Sequence, residues 1–88
     1  MAWTVDYTTT ARGQLRKLDR QVARRIVDFM DERVATAENP RQVGKALSGP
    51  SGDLWRYRVG DWRVIYDLQD GALRVLVVEL GSRGDVYR

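Results

Sequence analysis

At the start of the chain Trp3, Val5 and Tyr7 alternate with Ala2, Thr4 and Asp6. That is the period of a half-buried strand over residues 2–7. The period then changes. Thr8 to Thr10 offer helix N-caps, and Ala11, Leu15 and Leu18 come next at spacings of four and three, predicting a short amphipathic helix over about 9–18. Asp19 is the expected cap of a second helix. Val22, Ile26, Phe29, Met30 and Val34 form its apolar stripe over about 20–37, and Asn39-Pro40 stops it. Residues 41–53 read as a loop, punctuated by "SGPSG". Strand patterns fill residues 54–80. "LWRYRV" (54–59) and "WRVIYDL" (62–68) alternate on either side of Gly60-Asp61, a two-residue hairpin turn. Asp70-Gly71 predicts a second two-residue turn. "LRVLVVEL" (73–80) is almost continuously apolar, as expected of a central strand covered on both faces. The order β-α-α-β-β-β predicts an α+β class protein: one domain over residues 1–88, an antiparallel sheet packed on an N-terminal helical hairpin.

The hairpin at 54–68 can be solved by counting. With Gly60-Asp61 as a two-residue loop, Val59 faces Trp62, Arg58 faces Arg63, Tyr57 faces Val64 and Arg56 faces Ile65. Paired residues share a face and neighbours along a strand alternate. One face therefore carries Trp55, Tyr57, Val59, Trp62, Val64 and Tyr66, a surface able to receive the helices. The other carries Arg56, Arg58, Arg63 and Ile65. Like charges directly across a ladder are destabilising, and Arg58 opposes Arg63. Two explanations are open. The face is solvated, with long arginine stems over apolar surface and a carboxylate such as Asp67 nearby. Alternatively it is an anion site, for which three converging guanidiniums suit a phosphodiester backbone.

Composition narrows the chemistry. The 88 residues contain no cysteine and no histidine. Disulfides, thiolate chemistry and the usual neutral-pH base are excluded, and no metal or cofactor is expected. Of fifteen basic residues thirteen are arginine, the others being Lys17 and Lys45, against twelve acidic ones. The net charge of +3 is compatible with a nucleic-acid partner. No apolar run reaches the length of a membrane span and the first residues lack a signal-peptide pattern, so a cytoplasmic location is expected.

"LWRYRVGDWRVIYDL", "LRVLVVEL" and the ending "GSRGDVYR", in this order, resemble the RelE branch of the RelE/ParE toxin superfamily. The resemblance spans essentially the whole chain. It implies a bacterial toxin that cuts mRNA in the ribosomal A site and is silenced by an acidic, RelB-like antitoxin, which would also bind operator DNA. It implies site residues at Arg56, Arg58, Arg63, Arg83 and Tyr87. Arg56, Arg58 and Arg63 would clamp the phosphate, and Arg83 would stabilise charge or assist the leaving group. Tyr87 would transfer the proton or orient the base, its phenolate favoured by the surrounding guanidiniums. The chain departs from the pattern at Ser82 and Gly84, where many members are basic. It also has Arg at 56 and 58, where some have Lys, and Arg cannot serve as a base. Two alternatives share the fold: a ParE-like toxin that binds gyrase without cutting RNA, and a degenerate toxin that retains only antitoxin binding.

Overall fold

The computed structural model describes residues 3–47 and 54–82. Strand β1 (Thr4–Tyr7) leads into helices α1 (Thr9–Lys17) and α2 (Arg20–Phe29). Strands β2 (Lys45–Ala46), β3 (Leu54–Val59), β4 (Trp62–Gln69) and β5 (Arg74–Ser82) come after them. They form a single five-stranded sheet in the order β1-β5-β4-β3-β2. All neighbours are antiparallel except β1 and β5, so the sheet is mixed rather than purely antiparallel. The helical hairpin supplies the crossover that a parallel pair needs.

Both helix starts show the expected capping. The Thr8 hydroxyl accepts from the Ala11 N–H, and the Asp19 carboxylate accepts from the Gln21 N–H. Beyond Phe29 the second helix widens into a π-turn, Met30–Val34, closed by Ala35 N–H donating to the Met30 carbonyl at 2.9 Å. The stripe Val22, Ile26, Met30, Val34 is spaced by four, and a 3.6-residue helix rotates such a stripe by roughly 40° per step. The wider turn takes up part of that drift, and Ile26, Met30 and Val34 all stay fully buried.

The helices lie on the sheet face that carries Val59, Val64, Tyr66, Val75, Val77 and Leu80. Phe29 of α2 stacks on Tyr57 of β3 with ring centroids 4.0 Å apart. The β3–β4 register is the one counted from the sequence: Val59↔Trp62, Arg58↔Arg63, Tyr57↔Val64 and Arg56↔Ile65. Gly60, at φ 60°, supplies the left-handed residue that a tight hairpin turn of this kind requires first.

The second hairpin differs from expectation. Gln69 pairs with Arg74, so four residues connect the strands instead of two. A 3₁₀ turn over Asp70–Ala72 precedes Leu73, held left-handed at φ 48°. Arg41 ties down the turn, donating two guanidinium hydrogen bonds to the Asp70 carboxylate at 2.9 and 2.6 Å. Further along, Tyr66 pairs with Val77 but Ile65 pairs with Glu79, leaving Val78 as an extra residue in β5. This bulge resets the alternation, so Val75, Val77 and Leu80 all reach the core. It also explains why the strand reads as continuously apolar, although it lies second from the edge and β4 takes the centre.

Beyond Tyr7 strand β1 ends, and α1 satisfies the exposed edge of β5. Thr8 donates its N–H to Val77 and its hydroxyl to Val78, and the Gln14 side chain accepts from the Leu80 N–H at 2.7 Å.

Candidate active site

The sheet face away from the helices forms a grid set by the strand registers. One row runs Lys45, Arg56, Ile65, Glu79 across β2, β3, β4 and β5. The next runs Arg58, Arg63, Gly81. Lys45, Arg56, Arg58 and Arg63, with Val43 and Gly44, line a cleft of about 310 Å³. Among the described residues, no acidic one lines it. Glu79 stands two strands from Arg56, and Asp67 continues the same face of β4 beyond Ile65.

The four cations differ in setting. Arg63 is buried, at 9% exposure, because β4 is the central strand. Its neighbour Gly81 brings no side chain to compete for space. Arg56 is half-buried, while Arg58 and Lys45 are exposed. Arg56 and Arg63 both have interaction partners within the chain. Arg58, nearest the hairpin tip, also borders a groove of mixed charge, lined by Arg25 and Arg33 but also by Asp28 and Glu32.

The sequence count therefore holds for Arg56, Arg58 and Arg63, which share one cleft. Arg83 and Tyr87 lie outside the described residues, as does Gly84; the backbone of Ser82 ends β5 opposite Trp62. Burial pushes the Tyr66 phenol up to about 12, with Tyr57 adding to the effect. Burial, with Asp31 nearby, pushes Tyr7 up to about 12 as well. Neither core tyrosine can therefore lose a proton near neutral pH, so neither is a candidate base.

Lys45 is the cleft residue that the sequence left inside a loop. A two-residue strand has no readable hydrophobic period. The available signal was its rarity, as one of two lysines in an arginine-dominated chain. Three contacts hold it in place. Tyr66 donates its hydroxyl to the Pro40 carbonyl at 3.1 Å, anchoring the 3₁₀ turn before β2. Leu47 N–H donates to the Leu54 carbonyl at 2.9 Å. Gly44 lies so close to β3 that a Cβ there would sit 2.5 Å from the Arg56 carbonyl oxygen and collide with the Tyr66 hydroxyl.

A helical hairpin on one face of a mixed sheet, and a cationic cleft on the other, define a small α+β domain of one architectural class. Its relatives give the class a name. A family model described as the ParE toxin of the type II toxin–antitoxin system parDE matches residues 5–87. The chain is 32% identical to toxin RelG of Mycobacterium tuberculosis over 88 residues, all of this chain and 99% of that one. It is 33% identical to toxin RelE of the same organism over 84 residues, 96% of this chain and 84% of the other. Among solved structures, a chain of the M. tuberculosis toxin–antitoxin complex RelBE2 matches with a TM-score of 0.83 at 29% identity, over 97% of this chain and 95% of that chain. A chain of the archaeal RelE–RelB complex from Pyrococcus horikoshii matches with a TM-score of 0.76 at 29% identity, over 97% and 99%. The chain belongs to the RelE/ParE superfamily and is a RelE-type toxin of a type II toxin–antitoxin system.

Proposed function

We propose that this toxin is a ribosome-dependent mRNA endonuclease. The observation that carries the reading is the cleft itself. Arg56, Arg58 and Arg63 line it together, and Arg58 and Arg63 are directly opposed across the ladder. RNA carries its own nucleophile, the 2′-OH beside the scissile phosphate. The enzyme has to orient that hydroxyl, take its proton and stabilise charge on the phosphoryl oxygens. Arg56, Arg58 and Arg63 clamp the phosphate and stabilise the developing charge. Tyr87 accepts the 2′-OH proton, and Arg83 stabilises charge near the departing oxygen. The products are a 2′,3′-cyclic phosphate and a 5′-hydroxyl. Histidine is absent from the chain and arginine stays protonated near neutral pH, so this is a weak acid–base set. The ribosome is therefore expected to supply substrate positioning.

The partner that silences the toxin is an antitoxin, as the names of the RelBE2 and RelE–RelB complexes describe for those proteins. The outer surface of the helical hairpin suits one. Leu15, Leu18, Ala23 and Val27 line an apolar groove there, flanked by Arg16, Arg20 and Arg24. An amphipathic antitoxin helix with an acidic rim complements it in both polarity and charge.

The test is cleavage of mRNA on programmed ribosomes against the same mRNA free in solution. Cleavage on ribosomes only, lost in Arg83→Ala with Tyr87→Phe, is the expected result. Equal cutting of both substrates, or cutting that survives the double substitution, would overturn the mechanism. The family model bears the ParE name, and this favours a second reading, gyrase poisoning without RNA cleavage. Accumulation of gyrase–DNA cleavage complexes, with intact mRNA, would establish it instead.

A further inference from the structure

We infer that Lys45 is the general acid of the cleft, the group that protonates the departing 5′-oxygen. The inference rests on the nuclease reading above and adds a residue to it. Among the described residues, three of the cleft's four cations are arginines. A guanidinium binds and neutralises a phosphate but keeps its protons at any pH a protein survives. An ammonium does both, because it carries a positive charge and three exchangeable protons. Lys45 is the one side chain of that type brought to the cleft, and the register sets it directly opposite Arg56 on the same face. It is exposed and lies on the outermost strand, so its long stem is free of core packing.

The placement divides the work across the cleft. Arg58 and Arg63 hold the phosphate at the hairpin-tip end of the grid, while Lys45 stands beyond Arg56 at the other end. An in-line displacement requires the entering and leaving oxygens on opposite sides of phosphorus. The 2′-oxygen forms a bond to phosphorus, and its proton passes to the acceptor assigned to Tyr87. The bond from phosphorus to the 5′-oxygen breaks, and its electron pair takes a proton from the Lys45 ammonium. Solvent returns that proton to the amine after product leaves.

The architecture around Lys45 supports a positioned rather than a wandering group. Gly44 is pressed against the Arg56 carbonyl and the Tyr66 hydroxyl, and Tyr66 is itself fully buried and tied to Pro40. The short strand is thereby fixed to the core through its backbone, which sets where the lysine side chain starts.

The experiment uses the full-length toxin and programmed ribosomes carrying one of two synthetic mRNAs. One has the natural phosphodiester at the cleaved position, and the other has sulfur in place of the bridging 5′-oxygen. A thiolate leaves without protonation, so loss of a general acid slows the first substrate and spares the second. Lys45→Ala is expected to cut the oxygen substrate about 10²–10⁴-fold more slowly and the sulfur substrate at close to the wild-type rate. Arg58→Ala is expected to slow both alike, since phosphate clamping serves either leaving group. Equal slowing of both substrates by Lys45→Ala would show a binding role and overturn the inference. So would wild-type cutting of the oxygen substrate by that variant. Failure of the wild-type toxin to cut either substrate would overturn the nuclease reading, and the role of Lys45 with it. An unchanged melting temperature for Lys45→Ala is expected, and it separates these outcomes from misfolding.

Discussion

The two faces of the β3–β4 hairpin are built from the same two strands and obey opposite rules. On the core face Tyr57, Val64 and Tyr66 pack with Phe29, Ile26 and the other buried apolar groups. On the other face Arg58 meets Arg63 across the ladder, and the pairing works against the fold. The difference separates residues that hold the scaffold from residues the scaffold carries. A core substitution should lower stability and activity together. Substitution of the exposed Arg58 should lower activity while leaving stability alone or improving it.

The largest expected effect is on the core side. Tyr66→Ala removes a fully buried ring and its hydrogen bond to Pro40, and should lower unfolding free energy by about 3–5 kcal/mol in urea denaturation. On the cleft side Arg58→Thr should reduce ribosome-dependent cleavage by about 10²–10³-fold. Its stability should rise by about 0.2–1 kcal/mol, as a like-charge pair is relieved. A loss of stability comparable to that of Tyr66→Ala would erase the contrast between the faces. Gly44→Ala tests the seam between them. Its new methyl group would press on both Tyr66 and the Arg56 carbonyl, with a destabilisation of about 1–3 kcal/mol and a loss of cleavage larger than that of any distant surface change.

The smallest effect lies away from both faces. Hydrogen bonding to Arg41 holds the exposed Asp70 carboxyl below its ordinary range. The folded state then favours the ionised form, so the contribution is fully present above the unfolded carboxylate pKa and fades as pH falls through the folded value. Asp70→Asn should therefore melt slightly below wild type at neutral pH and converge with it in acid. A difference that persists unchanged at low pH would assign the effect to turn geometry rather than charge.

How much of the fold and cleft was legible in the sequence depended on how local the information was. The β3–β4 register comes from one turn, because Gly60 fixes the hairpin and alternation does the rest. The same logic fails at Asp70-Gly71. There Arg41, nearly thirty residues away in sequence, recruits the aspartate, and the chain uses a four-residue connection that ends at the left-handed Leu73. The bulge at Val78 is likewise invisible locally, since its carbonyl is satisfied by Thr8. Strand β2 is too short to have a period, so Lys45 could not be placed beside Arg56 without the fold. The shared face of Arg56, Arg58 and Arg63 was thus readable from residues 54–68, whereas the lysine opposite Arg56 was not.

The opposed pair Arg58 and Arg63 also has a historical consequence. Arg63 is buried and has interaction partners within the chain, whereas Arg58 is exposed and its like-charge pairing opposes folding. In a lineage that no longer meets the toxin's target, mutation should discharge the exposed position 58 early, long before Val64 or Tyr66 changes. Position 58 thus serves as a record of use: descendants still selected for a basic cleft are expected to retain Arg58, and those selected only to fold are expected to lose it.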